Sequence, residues 1–325
     1  MQEIRRQLNS KNINRHYALR HITRKNLDLE KYSACLSNAI NYRIYAEYWY
    51  LDTLVGKNWA CYVLNDYEAI MPIPFVKKLG IKLIFQPIYC QQLGVFHSEN
   101  FSKEVFHQFE KKLHRNLVRS YHFNEENTVM FSPKGKHRVN QVLDISTSYG
   151  ELYKNFNSNR KRNIKSFQKN NTNYFFIKKN QYNIVWFLDK LNMYYEYASY
   201  IDSRVFKELI KNNLQRRNID EYSLFDGEGR VMSSVFILHS KKRRILFSSV
   251  RDKEIEVKNS FTYLMSEVLR ENSENNILFD FEGSMIDSIN QFFKGFGTEE
   301  KKYTNYSNIS IHIITCFRFL KKILK

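Results

Sequence analysis

Two carboxylates and a lysine in the last fifty residues have a spacing that could support chemistry. In the segment Phe279-Asp280-Phe281-Glu282, aromatic and acidic residues alternate, so a β-strand would place both acids on one face. The next segment is predicted to be a short helix, which carries Lys294. Reactions that deprotonate an amine and stabilise an oxyanion need such groups. The alternative interpretation is a buried strand whose acids meet solvent or pair with lysines.

Glycines predict how this segment is shaped. Gly283 can end the strand in a backbone conformation that other residues resist. The following helix is expected to stop at Gly295 and Gly297. The lysine is therefore expected one helix away from the two carboxylates.

The hydrophobic pattern that surrounds this segment occurs twice along the chain. Two helices, a three-strand antiparallel meander, a helix and a strand are predicted in each half, with a boundary near residues 144–150. The repeat predicts an α/β fold with two similar lobes, residues 1–145 and 146–325, and places the reactive set in the second lobe. The predicted helices span 29–38, 46–54, 104–117, 153–169, 182–197, 203–213 and 260–270, and the meander strands span 59–64, 68–75, 82–85, 222–225, 231–239 and 245–250.

The composition indicates a globular protein with an anionic partner. The 325 residues are 43% hydrophobic and carry a formal net charge of +18. This charge favours nucleic acid, a phosphorylated donor or an anionic membrane surface, although AT-rich codons offer a second explanation for the many lysines. The four cysteines form no CxxC pair and the histidines are scattered, so no metal site is expected. The N-terminus lacks the apolar core of a secretory signal, which makes the cytoplasm the expected location.

Several short motifs resemble those of a known family. The second half resembles the GCN5-related N-acetyltransferase (GNAT) fold, and the tandem arrangement resembles the FemABX peptidyltransferases and their acyltransferase relatives. The resemblance implies two tandem GNAT-like lobes, each a mixed, largely antiparallel sheet flanked by helices. It covers most of the chain beyond residue 28. The motifs are Asn-Arg-Lys-Arg-Asn-Ile-Lys at 159–165, Phe-Asp-Phe-Glu-Gly-Ser at 279–284 and Phe-Lys-Gly-Phe-Gly at 293–297, with first-lobe segments at 45–52, 68–74 and 91–96.

The resemblance implies an acyltransferase, most simply an N-acyltransferase acting on an amine. Phe293 and Lys294 match the pair that the peptidyltransferases place at the reaction centre. Lys294 would then polarise the acyl carbonyl, and Glu282 or Asp280 would accept the proton of the amine. The acceptor would be a small molecule or a cell-envelope precursor. First-lobe residues expected to contact it are Tyr48, Trp49, Gln91 and Gln92.

The donor site departs from the GNAT pattern. Acetyltransferases of this fold usually hold the coenzyme A pyrophosphate in a glycine-rich loop, but residues 256–260 of this chain contain no glycine. The helix N-terminus still offers backbone N–H groups, and Asn259 or Ser260 is expected to cap it. The cosubstrate can therefore be acyl-CoA, aminoacyl-tRNA or an acyl carrier protein, and no tightly bound cofactor is expected. The predicted donor-binding residues are Arg160, Lys161, Arg162, Arg251, Lys258, Asn259, Ser260 and Phe293.

A protein without catalytic activity is the alternative prediction. It would keep the fold and use only its charge to bind nucleic acid or a membrane surface, and it would have no need of the carboxylates and the lysine. A predicted C-terminal helix at 313–325 puts Phe317 and Leu320 on one side and Arg318 and Lys321 on another. That helix would dock on the protein itself or adsorb to anionic lipid.

Overall fold

A computed structural model describes residues 18–78, 80–179, 183–194, 202–255 and 257–309. The predicted C-terminal helix, with its expected membrane contact, lies outside these residues. The end of the predicted helix 182–197 and the first residue of the segment 256–260 also lie outside them.

A five-stranded antiparallel sheet forms the first layer. Its strands follow the order β1 to β4, and β5 pairs with β3. Helix α1 begins where the side chain of Asp28 accepts hydrogen bonds from the N–H groups of Glu30 and Lys31. The elements of this layer are β1 (Leu19–Thr23), α1 (Leu29–Asn38), α2 (Tyr48–Val55), β2 (Trp59–Leu64), β3 (Ala69–Lys78), β4 (Ile81–Ile84), β5 (Phe96–His97) and α3 (Lys103–His114).

An eight-stranded sheet follows, in the order β6-β13-β7-β12-β11-β10-β9-β8. All its strand pairs are antiparallel except β11 with β12. Its elements are β6 (Tyr121–Phe123), α4 (Glu125–Phe131), β7 (Lys136–Asp144), α5 (Tyr149–Asn155), α6 (Ser158–Asn170), β8 (Tyr174–Lys179), α7 (Ile184–Tyr194), α8 (Ser203–Gln215), β9 (Ile219–Asp226), β10 (Val231–Ser240), β11 (Arg243–Arg251), α9 (Ser260–Asn272), β12 (Leu278–Asp280), α10 (Asp287–Lys294) and β13 (Glu299–Tyr306).

Two hydrophobic cores lie on opposite faces of the large sheet. One contains Phe279 and Phe281 with side chains of α5, α6 and α9. The other contains Phe236 and Phe247 with side chains of α7 and α8, and it continues into the core of the first sheet. The second lobe therefore packs against the first through one face of its sheet.

The parallel pair β11 and β12 sets the position of the candidate site. Their pairing covers only residues 243–245 and 278–280, whereas β11 runs on to Arg251. Since the two strands are parallel, their carboxyl ends lie at the same edge of the sheet. Beyond Asp280 the two strands separate, which opens a wedge at that edge.

The mixed α/β class predicted from the sequence is confirmed, and α1 and β2 have the predicted bounds. The single helix predicted over 153–169 is wrong. It is two helices, because Phe156 is extended and the Asn157 side chain caps a new helix by accepting from the Arg160 N–H at 2.8 Å. The sequence also missed β1, β5, β8, β13 and α4, and it set no bounds for the strand predicted after helix 104–117, where the structure has β6 and β7. The boundary between residues 145 and 146 stays a prediction, although β6 and β7 precede it and pair within the large sheet.

Candidate active site

The turn that follows β12 carries the predicted carboxylates. Phe279 and Phe281 are buried in the core beside α9, and Asp280 points to the other face, where it contacts Arg243. Glu282 also points away from that core, toward Tyr45 of the first lobe. The predicted division of aromatic and acidic side chains between the two faces is therefore confirmed.

Glu282 has a backbone conformation that is uncommon for a residue with a side chain. Its φ is +55°, and the φ of Gly283 is +35°. A left-handed conformation costs an L-residue about 1–2 kcal/mol. A Cβ on Gly283 would lie 2.5 Å from the Cα of Asn140, so the turn needs glycine at this position. Strained residues of this kind concentrate at functional sites.

The carboxyl group of Glu282 lies between the lobes. The hydroxyl of Tyr45 donates a hydrogen bond to its Oε1, and Gln91 Nε2 donates to its backbone oxygen at 2.5 Å. The residue as a whole keeps partial exposure, yet its carboxyl group is enclosed. Burial raises the pKa of Glu282 to about 8, with a smaller upward contribution from the charge of Asp280, while the Tyr45 hydrogen bond opposes the shift.

Asp280 has a different environment, because three hydrogen bonds hold its two carboxylate oxygens. Its Oδ2 accepts from Arg243 Nη1 at 2.7 Å. Its Oδ1 accepts from Asn140 Nδ2 and from the N–H of Glu282, both at 2.9 Å. These contacts fix the turn that carries Glu282. The two carboxylates were predicted as alternative proton acceptors, and this arrangement favours Glu282.

Arg243 joins Asp280 to the first half of the chain. Its Nη2 donates to Glu125 Oε2 at 2.6 Å, and Arg43 Nη2 lies 3.6 Å from the same oxygen. Burial opposes the ionisation of Glu125, but the charges of Arg243 and Arg43 outweigh it and lower the pKa of Glu125 to about 2. The cluster Arg43, Glu125, Glu126, Arg243 and Asp280 is named the interlobe ion cluster below.

The structure does not bring Lys294 into contact with either carboxylate. Its Nζ lies 2.9 Å from Glu300 Oε2. Glu300 pairs across the ladder with Gln141, so their side chains lie on the same face of the sheet. Asn140 is the neighbour of Gln141 on β7, so its side chain lies on the opposite face. Since Asn140 contacts Asp280, Lys294 and Asp280 lie on different faces. The oxyanion role of Lys294 stays a prediction.

The predicted acceptor-binding residues separate into two groups. Gln91 touches the Glu282 turn, but Gln92 is fully buried and bonds to Glu125. Gln92 therefore supports the interlobe ion cluster from within. Tyr48 and Trp49 are half-buried on α2, with the guanidinium groups of Arg24 and Arg216 over their rings at 5.6 and 4.3 Å.

A cleft lies at the carboxyl end of β11 and is named the α9 cleft. Its volume is about 360 Å³. Three predicted donor-binding residues line it, namely Arg160, Arg251 and Asn259. Arg160 is 9% exposed, donates to Thr262 Oγ1 at 3.1 Å and stacks over the ring of Phe292 at 4.1 Å. Its buried Nε has no hydrogen-bond partner among the described residues.

The N-terminus of α9 faces this cleft without a side-chain cap. Asn259 stands at the N-cap with φ +66°, and its side chain accepts no hydrogen bond from the helix. The prediction that Asn259 caps the helix is therefore wrong. Ser260, the first helical residue, is buried. Uncapped N–H groups at a helix start are suited to phosphate.

The other predicted donor-binding residues do not line the α9 cleft. Lys161 Nζ donates to the backbone oxygen of Lys154, and Arg162 Nη2 donates to Asn159 Oδ1. Phe293 is buried against Phe281, with 5.1 Å between the ring centroids. Lys258 is exposed beside Asn259 in sequence. The residues that sequence reasoning missed here are Asn163, Lys253, Phe261, Thr262 and Phe292.

Within the described ranges, no helix combines the length and apolar character needed to cross a bilayer. The same residues contain no group of three or more His, Cys, Asp or Glu side chains suited to a metal ion.

Comparison with known proteins shows similarity in structure without similarity in sequence. FemX superposes with a TM-score of 0.62 at 10% identity, covering 89% of this chain and 97% of that one. A conserved protein of unknown function from Bacteroides thetaiotaomicron gives 0.57 at 10% identity, covering 90% and 100%. L-PGS from Bacillus licheniformis gives 0.50 at 13% identity, covering 89% and 95%. No protein-family model matches the sequence, and no curated protein is similar to it in sequence.

The chain therefore has the fold of FemX, and the FemABX-like, tandem GNAT-like fold predicted from the motifs is confirmed. Identities of 10 to 13% establish the fold alone. The chemistry must be argued from the site.

Proposed function

We propose that this protein is an acyltransferase that transfers an acyl group to an amine, with Glu282 as the general base. The observation that carries the proposal is the Glu282 carboxyl group, which is enclosed between the lobes on a left-handed turn just beyond the carboxyl end of β12. This carboxylate combines an uncommon backbone conformation with enclosure, and it has no cationic hydrogen-bond or ion-pair partner in the described part of the chain. Perturbed carboxyl groups in such positions are candidates for proton transfer.

The pKa of Glu282 suits this role. A base works best when its pKa lies near the working pH, and the pKa of about 8 is within reach of neutral conditions. The carboxylate would take a proton from the amine as the nitrogen attacks the acyl carbonyl. Collapse of the tetrahedral intermediate would then break the bond to the donor and release its thiol or ribose hydroxyl, which takes up that proton. Turnover should therefore rise with pH until Glu282 is ionised.

The oxyanion role that the resemblance gives to Lys294 forms part of the proposal. Lys294 and Glu300 are 40% and 33% exposed, and an ion pair with this exposure contributes roughly 0–1 kcal/mol. Release of Lys294 from Glu300 would therefore cost little. Its ammonium would still have to reach the substrate from the other face of the sheet.

The α9 cleft supports a phosphorylated donor. Arg160, Arg251 and the uncapped start of α9 converge there, at the sheet edge that also carries Glu282. Burial lowers the pKa of Arg160, and an anion beside the guanidinium would offset that cost. Acyl-CoA, aminoacyl-tRNA and acyl carrier protein all supply a phosphate beside a transferable acyl group. The acceptor would be a small amine or a cell-envelope precursor.

The test is labelled acyl transfer with matched variants. The protein is incubated with cell extract and isotopically labelled acyl-CoA or aminoacyl-tRNA, and labelled products are identified by mass spectrometry. Glu282→Gln keeps the shape of the side chain and should lower turnover by about 100-fold or more. Glu208→Gln, an exposed change on α8, should have no effect.

Two outcomes would overturn the proposal. One is a Glu282→Gln variant that forms the labelled product as fast as the wild type. The other is the absence of product with every donor while the protein binds RNA or anionic vesicles, which is the result expected of the non-catalytic alternative.

A further inference from the structure

Another cleft, named the amino-edge cleft, lies at the amino ends of β11 and β12, at the opposite end of these strands from the α9 cleft. Its volume is about 430 Å³, within the range of small-molecule sites. It lies between the end of α1, the turn from β10 to β11 and the start of β12. The distance along β12 to the Glu282 turn is about 13 Å. The lining residues that matter below are Arg43, Glu126, Lys241, Lys242 and Arg243.

Two buried arginines form one wall of this cleft. Arg43 is 3% exposed and Arg243 is 6% exposed. The buried Nε of Arg43 has no hydrogen-bond partner among the described residues. A guanidinium group with an unused donor beside a polar cleft is suited to an anion.

Glu126 occupies the position that such an anion would take. Its Oε2 accepts from Arg43 Nη2 at 2.7 Å, and its Oε1 lies 3.6 Å from Arg243 Nη2. Its side chain is 32% exposed, whereas that of Glu125 is 7% exposed. Glu126 can therefore rotate into solvent without the cost of moving a buried charge.

The charges of the interlobe ion cluster also single out Glu126. Three carboxylates, on Glu125, Glu126 and Asp280, face the two guanidinium groups of Arg43 and Arg243. Without Glu126 the charges balance. A ligand anion could take its place without adding to the negative charge that the cluster already holds.

The rim of the cleft adds positive charge. Lys241 Nζ donates to the backbone oxygen of Ser37 at 2.6 Å, which holds the turn against the end of α1. Lys242 is exposed and lines the cleft. Asp144 is the one carboxylate besides Glu126 in the described lining.

We propose that the amino-edge cleft binds a small metabolite through a carboxylate or phosphate group, which displaces Glu126 from Arg43 and Arg243 and is held at the rim by Lys242. This site is separate from the α9 cleft and from Glu282. It does not depend on the proposed acyl transfer.

The experiment follows the Nε–Hε resonance of Arg43 by NMR. Inorganic phosphate and succinate are titrated separately at constant ionic strength, so that the two arms identify the preferred group. At least one should shift the Arg43 resonance in a saturable way. Glu126→Gln removes the competing charge and keeps the shape, so it should tighten binding by about ten-fold.

Two lysine variants provide the matched controls. Lys242→Ala should weaken binding several-fold, whereas Lys111→Ala removes the same charge from an exposed position on α3 and should not change it. Arg251→Ala removes a phosphate ligand of the α9 cleft and should leave the Arg43 response intact. The proposal is wrong if neither anion shifts Arg43, if Glu126→Gln does not tighten binding, or if Lys111→Ala weakens binding as much as Lys242→Ala.

Discussion

Glu125 and Glu282 both have enclosed carboxyl groups in the region between the lobes, and their environments shift the pKa in opposite directions. Burial disfavours the charged form of both. Two guanidinium groups lower the pKa of Glu125 to about 2, whereas Glu282 has a tyrosine hydroxyl as its partner and a pKa of about 8. Burial therefore does not decide ionisation at neutral pH. The presence of an arginine does.

Within this one polar region, the interlobe ion cluster can support the structure, and Glu282 can take part in proton transfer. The charges of Arg243 and Arg43 hold the pKa of Glu125 at about 2, so Glu125 stays ionised at neutral pH and the ion pairs of the interlobe ion cluster can hold the Glu282 turn in place. The Glu282 carboxyl group can exchange a proton near neutrality. A site that needs a mobile proton beside a fixed frame benefits from this arrangement.

Of the three variants, Arg243→Met should cause the largest loss of stability. It leaves Glu125 and Asp280 buried without their shared cation, and breaking a buried ion pair costs about 3–5 kcal/mol of the free energy of unfolding. Urea denaturation at pH 7 measures the loss. Arg230→Met, at an exposed ion pair with Asp226, is the control and should show no measurable loss. Equal stability of both variants would mean that the cluster does not hold the lobes together.

Glu282→Gln should change how stability depends on pH. The folded pKa of about 8 lies above the value of 4.5 that is ordinary for a glutamate, so ionisation opposes folding. The wild type should lose stability relative to the variant as pH rises from about 4.5 to 8, by roughly 3 kcal/mol at pH 7. Below pH 4.5 the difference should be constant. Denaturation curves at several pH values test this, and parallel profiles of the two proteins would contradict the raised pKa.

Tyr45→Phe should have the smallest effect, a change in the pKa of Glu282. The hydrogen bond from the Tyr45 hydroxyl favours the ionised form of Glu282. Because the variant lacks this bond, the pKa of Glu282 should rise further. The pH at which Glu282 titrates, followed by NMR of its side-chain carboxyl carbon, should move upward. Tyr32→Phe removes a buried hydroxyl that donates to the backbone oxygen of Ala46, and it should leave the titration unchanged. A downward shift in Tyr45→Phe would show that Tyr45 does not stabilise the charge.

The local parts of this picture follow from the sequence. The period of two along residues 279–282 predicts the faces of the four side chains, because a strand offers only two. Helix α1 is predictable from the spacing of Leu29, Tyr32 and Leu36 and from the Asp28 cap. The motif at residues 159–165, which resembles one of a known family, also led to Arg160, and Arg160 lines the α9 cleft.

The long-range parts do not follow from the sequence. Arg243 lies where the pattern predicts a solvated turn, and nothing near it in sequence shows that Glu125 is its partner. Tyr45 was part of a recognised motif, but its contact with Glu282 spans 237 residues. Strand β13 has the sequence Glu-Glu-Lys-Lys-Tyr-Thr-Asn-Tyr and lacks a hydrophobic run, so it forms a strand because β6 and β7 flank it.

The position of β7 has a consequence for how the chain acquires its structure. β7 pairs on one side with β12 and on the other with β13, which follow it by more than 130 residues. During synthesis both of its edges stay open until the last strands leave the ribosome. Contacts between such distant segments form slowly, and unpaired edges can bind other chains in the meantime. We therefore expect slow completion of the large sheet to limit the yield of refolding.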